Sequence, residues 1–133
     1  MPELHPDLSP EARRSLLVEG LEDFRAGRFF AAHEAWEEVW RSTAPEPRDL
    51  LQGLIQIAAG LHLERDLGRP EAARRVLARG RLRISPYLPR ALGLDLLTLD
   101  QAVAEREAWL AAGRPAPEPK VPTLELVDPE ALA

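Results

Sequence analysis

Apolar residues recur along this chain at the three- and four-residue spacing of amphipathic helices, in five segments set apart by glycine and proline. Met1 to Leu8 has no period and reads as a lead-in. Ser9-Pro10-Glu11 then supplies a cap, a first-turn proline and an acid that complements the helix dipole. Leu16, Leu17, Gly20, Leu21 and Phe24 share one face of the first predicted helix, and Gly27 stops it. The second predicted helix spans Phe29 to Arg41. Its apolar face holds Phe29, Ala32, Trp36, Val39 and Trp40, with His33 inside that face and Glu37 at its border. Glu34, Glu38 and Arg41 point away from it, toward solvent. Thr43 to Pro47 reads as a turn.

The third predicted helix, about 48–66, is apolar almost all round from Leu50 to Leu63, so it is expected at the centre. Gly53 and Gly60 lie seven apart on one side of it, which predicts close approach of another helix. Gln52 and Gln56 lie near that side, and His62 is expected elsewhere, beside Leu51 and Ile55. Gly68-Arg69-Pro70 closes this helix and opens a fourth, Pro70 to Ile84. Ala73, Val76, Leu77, Gly80 and Ile84 form its inner stripe, and Arg75, Arg79 and Arg83 its outer one. Pro86 and Pro89 break the chain. An irregular stretch runs to Leu97, and Thr98 with Gln101 suggests a capping box opening a fifth helix that ends near Ala112. From Arg114 on, prolines at 115, 117, 119, 122 and 129 predict an extended strap or a disordered tail.

Composition sharpens this picture in three places. The chain is rich in Ala, Leu, Arg and Glu, which favours helix. It has no cysteine, so it can form neither disulfides nor thiolate metal sites. Its net charge of −5 argues against general electrostatic binding to nucleic acid. The longest apolar run is too short to span a bilayer, and the N-terminus lacks the pattern of a signal peptide, so a cytoplasmic location is the expectation.

The stretch from Phe29 to Arg41 interleaves aromatic bulk with titratable groups and is the first place to look for chemistry. His33 and Glu37 are four apart and can touch on a helix. A histidine inside an apolar face needs partners for both ring nitrogens; Glu37 can serve one, and Gln52 or Gln56 the other. The pair could be a general acid and base or half of a metal site, but bundle metal sites take ligands from several helices, and no second helix here repeats a His-and-carboxylate motif. A structural hydrogen-bond network is the simpler reading. Trp36, Trp40 and Phe29 fit a core before they fit a pocket. The arginine stripe fits a solvated face before a phosphate grip. There is no phosphate loop, nucleophile elbow or HExxH motif.

The segments GRFFAAHEAWEEVWR and LLQGLIQIAAGLHL, followed by a Gly-x-Pro turn, an Ala-Arg-rich helix and Gly93-Leu94-Asp95, resemble the family known as domain of unknown function 309. The resemblance covers about 9–97 and implies a small all-helical bacterial or archaeal protein. It marks Phe29, Phe30, Ala32, His33, Glu34, Glu37 and Trp40 on one helix, and Gly53, Leu54, Ile55, Gln56 and Ala58 on the next, as positions of the family pattern. Gly68-Arg69-Pro70 departs from a Gly-Asn that is common in the family. The resemblance implies no activity.

Together these readings predict an all-α compact bundle of about five helices, with residues 1–113 as one domain and 114–133 as a proline-rich tail. The leading functional expectation is a non-enzymatic binding or interaction domain, without cofactor, forming homo-oligomers, with a polar cluster of His33, Glu34, Glu37, Gln52 and Gln56 that fixes helix register. Membrane and nucleic-acid partners are not expected. The alternative is a metal-binding protein or enzyme using His33 and Glu37. A weaker third reading is a nucleic-acid accessory acting through the arginine stripe.

Overall fold

Ser9 accepts a hydrogen bond from the Ala12 amide and opens helix α1, Pro10–Arg25, with proline in its first turn. The computed structural model describes residues 8–42 and 47–132; the lead-in before Leu8 and most of the turn before Pro47 lie outside it. Helices α2 (Phe29–Arg41), α3 (Arg48–Arg65) and α4 (Pro70–Ile84) follow. Gly27 and Gly68 adopt positive φ at the two stops, a backbone region that glycine enters without strain. The fold is an all-α bundle of five helices, with α3 packed between α2 on one side and α4 on the other.

Close approach on the glycine side of α3 is made by α4. A side chain at Gly60 would meet Leu77 at 2.7 Å, and one at Gly53 would meet Ile84 at 2.6 Å. Gly80 reciprocates from α4, where a side chain would meet Ile57 at 2.7 Å. Gly20 of α1 faces the Trp36 ring of α2 in the same manner. The Trp36 indole donates to the Leu17 carbonyl at 3.2 Å, so this buried polar group is satisfied. Leu50, Ile57, Leu61, Leu77, Leu99 and Leu124 are fully buried around this frame.

The connection from α4 to the fifth helix differs from the expectation. Ser85–Tyr87 forms a 3-10 turn, and β1 (Arg90–Ala91) pairs antiparallel with β2 (Leu94–Asp95). Helix α5 spans Leu96–Ala111 and starts earlier than the Thr98–Gln101 box suggested. Its cap is Asp95, whose side chain accepts from the Thr98 amide at 3.1 Å. The Thr98 hydroxyl, and after it that amide bond, hold the Asp95 carboxyl below the usual range.

Residues 114–132 run as an extended strap over the helices. Leu126 bridges to Leu94, Asp95 donates its amide to Glu125, and Val127 donates to Gly93, so the strap adds a third edge to the hairpin. Leu124 and Leu132 are buried. Arg14 of α1 donates to the carbonyls of Pro129 and Leu132 and ties the strap's end to the first helix. Arg106 of α5 is wholly buried; it donates to Glu64 at 2.8 Å, and to Glu118 and the Pro119 carbonyl at 2.9 Å each. Among the described residues, no helix is long and apolar enough to cross a membrane.

Candidate functional site

Helices α2 and α3 form an antiparallel pair, and two contacts set their register. At one end the Phe30 ring lies 5.0 Å from that of His62. At the other, the Arg48 guanidinium lies 4.6 Å above the Trp40 ring and donates to the Trp40 carbonyl. Positions along the seam therefore descend on α3 as they rise on α2. His33, Glu37 and Arg41 follow Phe30 at helical spacing on one helix, and Gln56 and Gln52 lie between His62 and Arg48 on the other.

His33 sits on this seam with about a quarter of its side chain exposed. Its Nε2 lies 3.3 Å from Glu37, one turn on. Glu37 is shared, because Arg41 pairs with its other oxygen. Arg41 is exposed, as expected, and from there it also pairs with Glu37, completing a His33–Glu37–Arg41 run along α2. Glu34 is exposed. The His33 Nδ1 atom is closed off from solvent and has no hydrogen-bond partner, as are the Gln56 Oε1 and Trp40 Nε1 atoms. Buried polar atoms without partners thus occur on both helices, and no bond joins His33 to Gln56. Gln52 is half-buried. Trp36 is buried, Trp40 is half-buried, and Phe29 packs edge-on against Phe24 at 5.1 Å between centroids.

His62 was expected away from this group. It lies instead on the same face, with its Nδ1 2.7 Å from Asp66. Phe30, half-exposed at 51%, stands between the two histidines: its ring stacks on His33 at 5.8 Å and tilts against His62 at 5.0 Å. Two His-carboxylate pairs, one per helix, therefore bracket one exposed aromatic ring. The expectation that no second helix repeats the His-and-carboxylate motif is therefore corrected: His62–Asp66 has the same four-residue spacing as His33–Glu37, and the helix register brings the two pairs together.

Chemically the arrangement offers an aromatic edge flanked by imidazoles and rimmed by Glu34, Glu37 and Asp66. Among the described residues, no group of three or more His, Cys, Asp or Glu side chains is gathered as a metal site would need. A cleft of about 400 Å³ opens beside Asp66, lined also by Arg25, Gly27, Arg65 and Pro122, but His33 is not in its wall. On α4, Arg83 pairs with Asp49, while Arg75 and Arg79 are exposed.

Residues 17–76 match the model of a family described as a domain of unknown function (DUF309). That span runs from α1 through the first half of α4 and includes the whole α2–α3 seam. No curated protein and no solved structure matches the chain.

Proposed function

We propose that this DUF309 domain works by binding a macromolecular partner rather than by catalysis, and that Phe30 with its flanking histidines is the contact surface. The observation that supports this reading most is the exposure of Phe30. An aromatic ring half in solvent, yet fixed between two imidazoles, is ordered without being buried. Rigid exposed aromatics are the side chains that anchor interfaces, because they bury much area at small entropic cost.

The alternative, proton transfer or metal binding at His33 and Glu37, has less support. A general base must present a nitrogen to its substrate. Here Nε2 faces Glu37, and Nδ1 is closed to solvent. The His33–Glu37–Arg41 run then serves to hold the ring on which Phe30 rests. The buried polar atoms of Gln56 and Trp40 fit a seam whose role is to fix how α2 sits on α3.

The test is a photo-crosslinking phenylalanine analogue placed at position 30, with a second protein carrying it at exposed Ala111 as control. The reading predicts a discrete protein adduct from position 30 and none from 111. Absence of any adduct from position 30 would contradict it.

A further inference from the structure

We infer that the Phe30 face docks on the outer face of α4 of a second copy of this chain, in a head-to-tail contact. The inference rests on the interaction reading above and names its partner. Leu82 is the most solvent-exposed large apolar residue among those described, at 75%. It lies one turn from Ala78 and Arg79 on α4, beside a cleft of about 280 Å³ that also includes Ser85 and Leu88. The fold therefore presents an aromatic knob on α2 and an apolar shelf with a cleft on α4.

Charge decides which surfaces meet. Around Phe30, Glu37 is set against Arg41, and Glu34 and Asp66 remain as negative charge. Of the five arginines on α4, Arg74, Arg81 and Arg83 pair with carboxylates of this chain. Arg75 and Arg79 are exposed and make no close ion pair among the described residues, although the Arg75 charge acts on Glu71, which Arg74 already bonds. Arg81 serves two carboxylates, Asp100 and Glu107, so the shelf keeps one net positive charge once these are counted with Arg75 and Arg79. Pairing the Phe30 face with itself would oppose Glu34 and Asp66 to their own copies. Pairing the Leu82 face with itself would oppose Arg75 and Arg79 to theirs. Only the crossed pairing joins apolar to apolar and acid to base.

The two faces cannot meet within one molecule. Phe30 lies at the C-terminal end of α3, against His62, and α4 packs on another side of α3, with Ile84 and Arg83 against Gly53 near its N-terminal end. Each docked pair therefore leaves one face of each kind free, and the contact is heterologous: it closes into a ring or extends as a chain. Its steering charges are exposed, so it is salt-sensitive.

Sedimentation velocity tests this on the full chain. At low ionic strength the average mass should rise with protein concentration past that of a dimer, and fall at about 1 M salt, where the Debye length is about 3 Å. Phe30→Asp and Leu82→Asp, both at exposed positions, should each be monomeric. An equimolar mixture of the two should form a one-to-one dimer and nothing larger, since each variant retains one intact face. A wild-type chain that stays monomeric at every concentration, or a mixture that stays monomeric while wild type associates, would overturn the inference. The crosslink at position 30 separates this failure from that of the broader reading. An adduct mapping to α4 of a second copy supports both. An adduct only to a different protein overturns self-docking and leaves the interaction reading standing. No adduct overturns both.

Discussion

Arg106 of α5 and Glu64 of α3 face each other at 2.8 Å, both buried, and join helices whose sequence positions lie 42 apart. A buried ion pair of this kind is weak evidence of net stabilisation, because removing both charges from water costs about as much as their attraction returns. Breaking it from one side is another matter. Arg106→Ala should cost about 3–5 kcal/mol in urea unfolding, since it leaves Glu64 charged and alone. Replacing both partners, Arg106→Met with Glu64→Leu, should recover most of that loss. If the double variant is as unstable as the single one, the pair is not what the guanidinium supplies there.

The same guanidinium holds the strap, and this gives the strap a pH dependence. The hydrogen bond from Arg106 and the nearby charges of Arg106 and Arg65 hold the Glu118 carboxyl below its ordinary 4.5. A carboxyl with a lowered folded-state pKa stabilises fully above its unfolded value and loses that contribution as pH falls through its folded value. The strap contact through Glu118 should therefore be complete above about pH 4.5 and weaken below it. Trp109 reports on it, because its indole donates to the Pro115 carbonyl and Arg106 lies 4.8 Å from its ring. Acid titration of Trp109 fluorescence should show a step that Glu118→Gln lacks; identical titrations of the two proteins would refute the assignment.

Packing of α3 on α4 sets a prediction of opposite sign to helix propensity. Alanine is favoured over glycine in a helix by about 1 kcal/mol. At Gly60 an added Cβ meets Leu77 at 2.7 Å, too close without displacement. Gly60→Ala should therefore destabilise the fold by about 1–3 kcal/mol. A raised melting temperature would show that α4 can move aside freely.

His33→Ala should cost about 1 kcal/mol in thermal melting, the upper end for a partly exposed ion pair. The loss is modest because His33 is partly exposed and Glu37 keeps Arg41. A loss above about 3 kcal/mol would mean that the seam is a core element and not chiefly a support for Phe30.

What the sequence made legible was local. Ser9-Pro10, Gly27 and Gly68-Arg69-Pro70 punctuate the chain strongly enough to place three helices, and the glycines of α3 foretold a close neighbour. The start of α5 was misjudged because Thr98–Gln101 mimics a cap, while Asp95, three residues earlier, performs it. The hairpin at Arg90–Asp95 gave no signal, since strands of two residues have no alternation to detect. His62 was assigned to the wrong neighbourhood and Arg106 was not noticed, for one reason: both owe their surroundings to partners far along the chain. His62 needs the register of α2 against α3, and Arg106 needs the strap. A helical wheel carries neither.

The claim that Phe30 is a contact surface can be read most directly by hydroxyl-radical footprinting of the protein in the cells that make it, against the same protein purified and dilute. Exposed aromatic rings oxidise readily, and a docked partner shields them. The account predicts that Phe30 is protected in cells and reactive in dilute solution, while Leu97, also exposed but on α5, reacts alike in both. Equal oxidation of Phe30 in the two settings would contradict it.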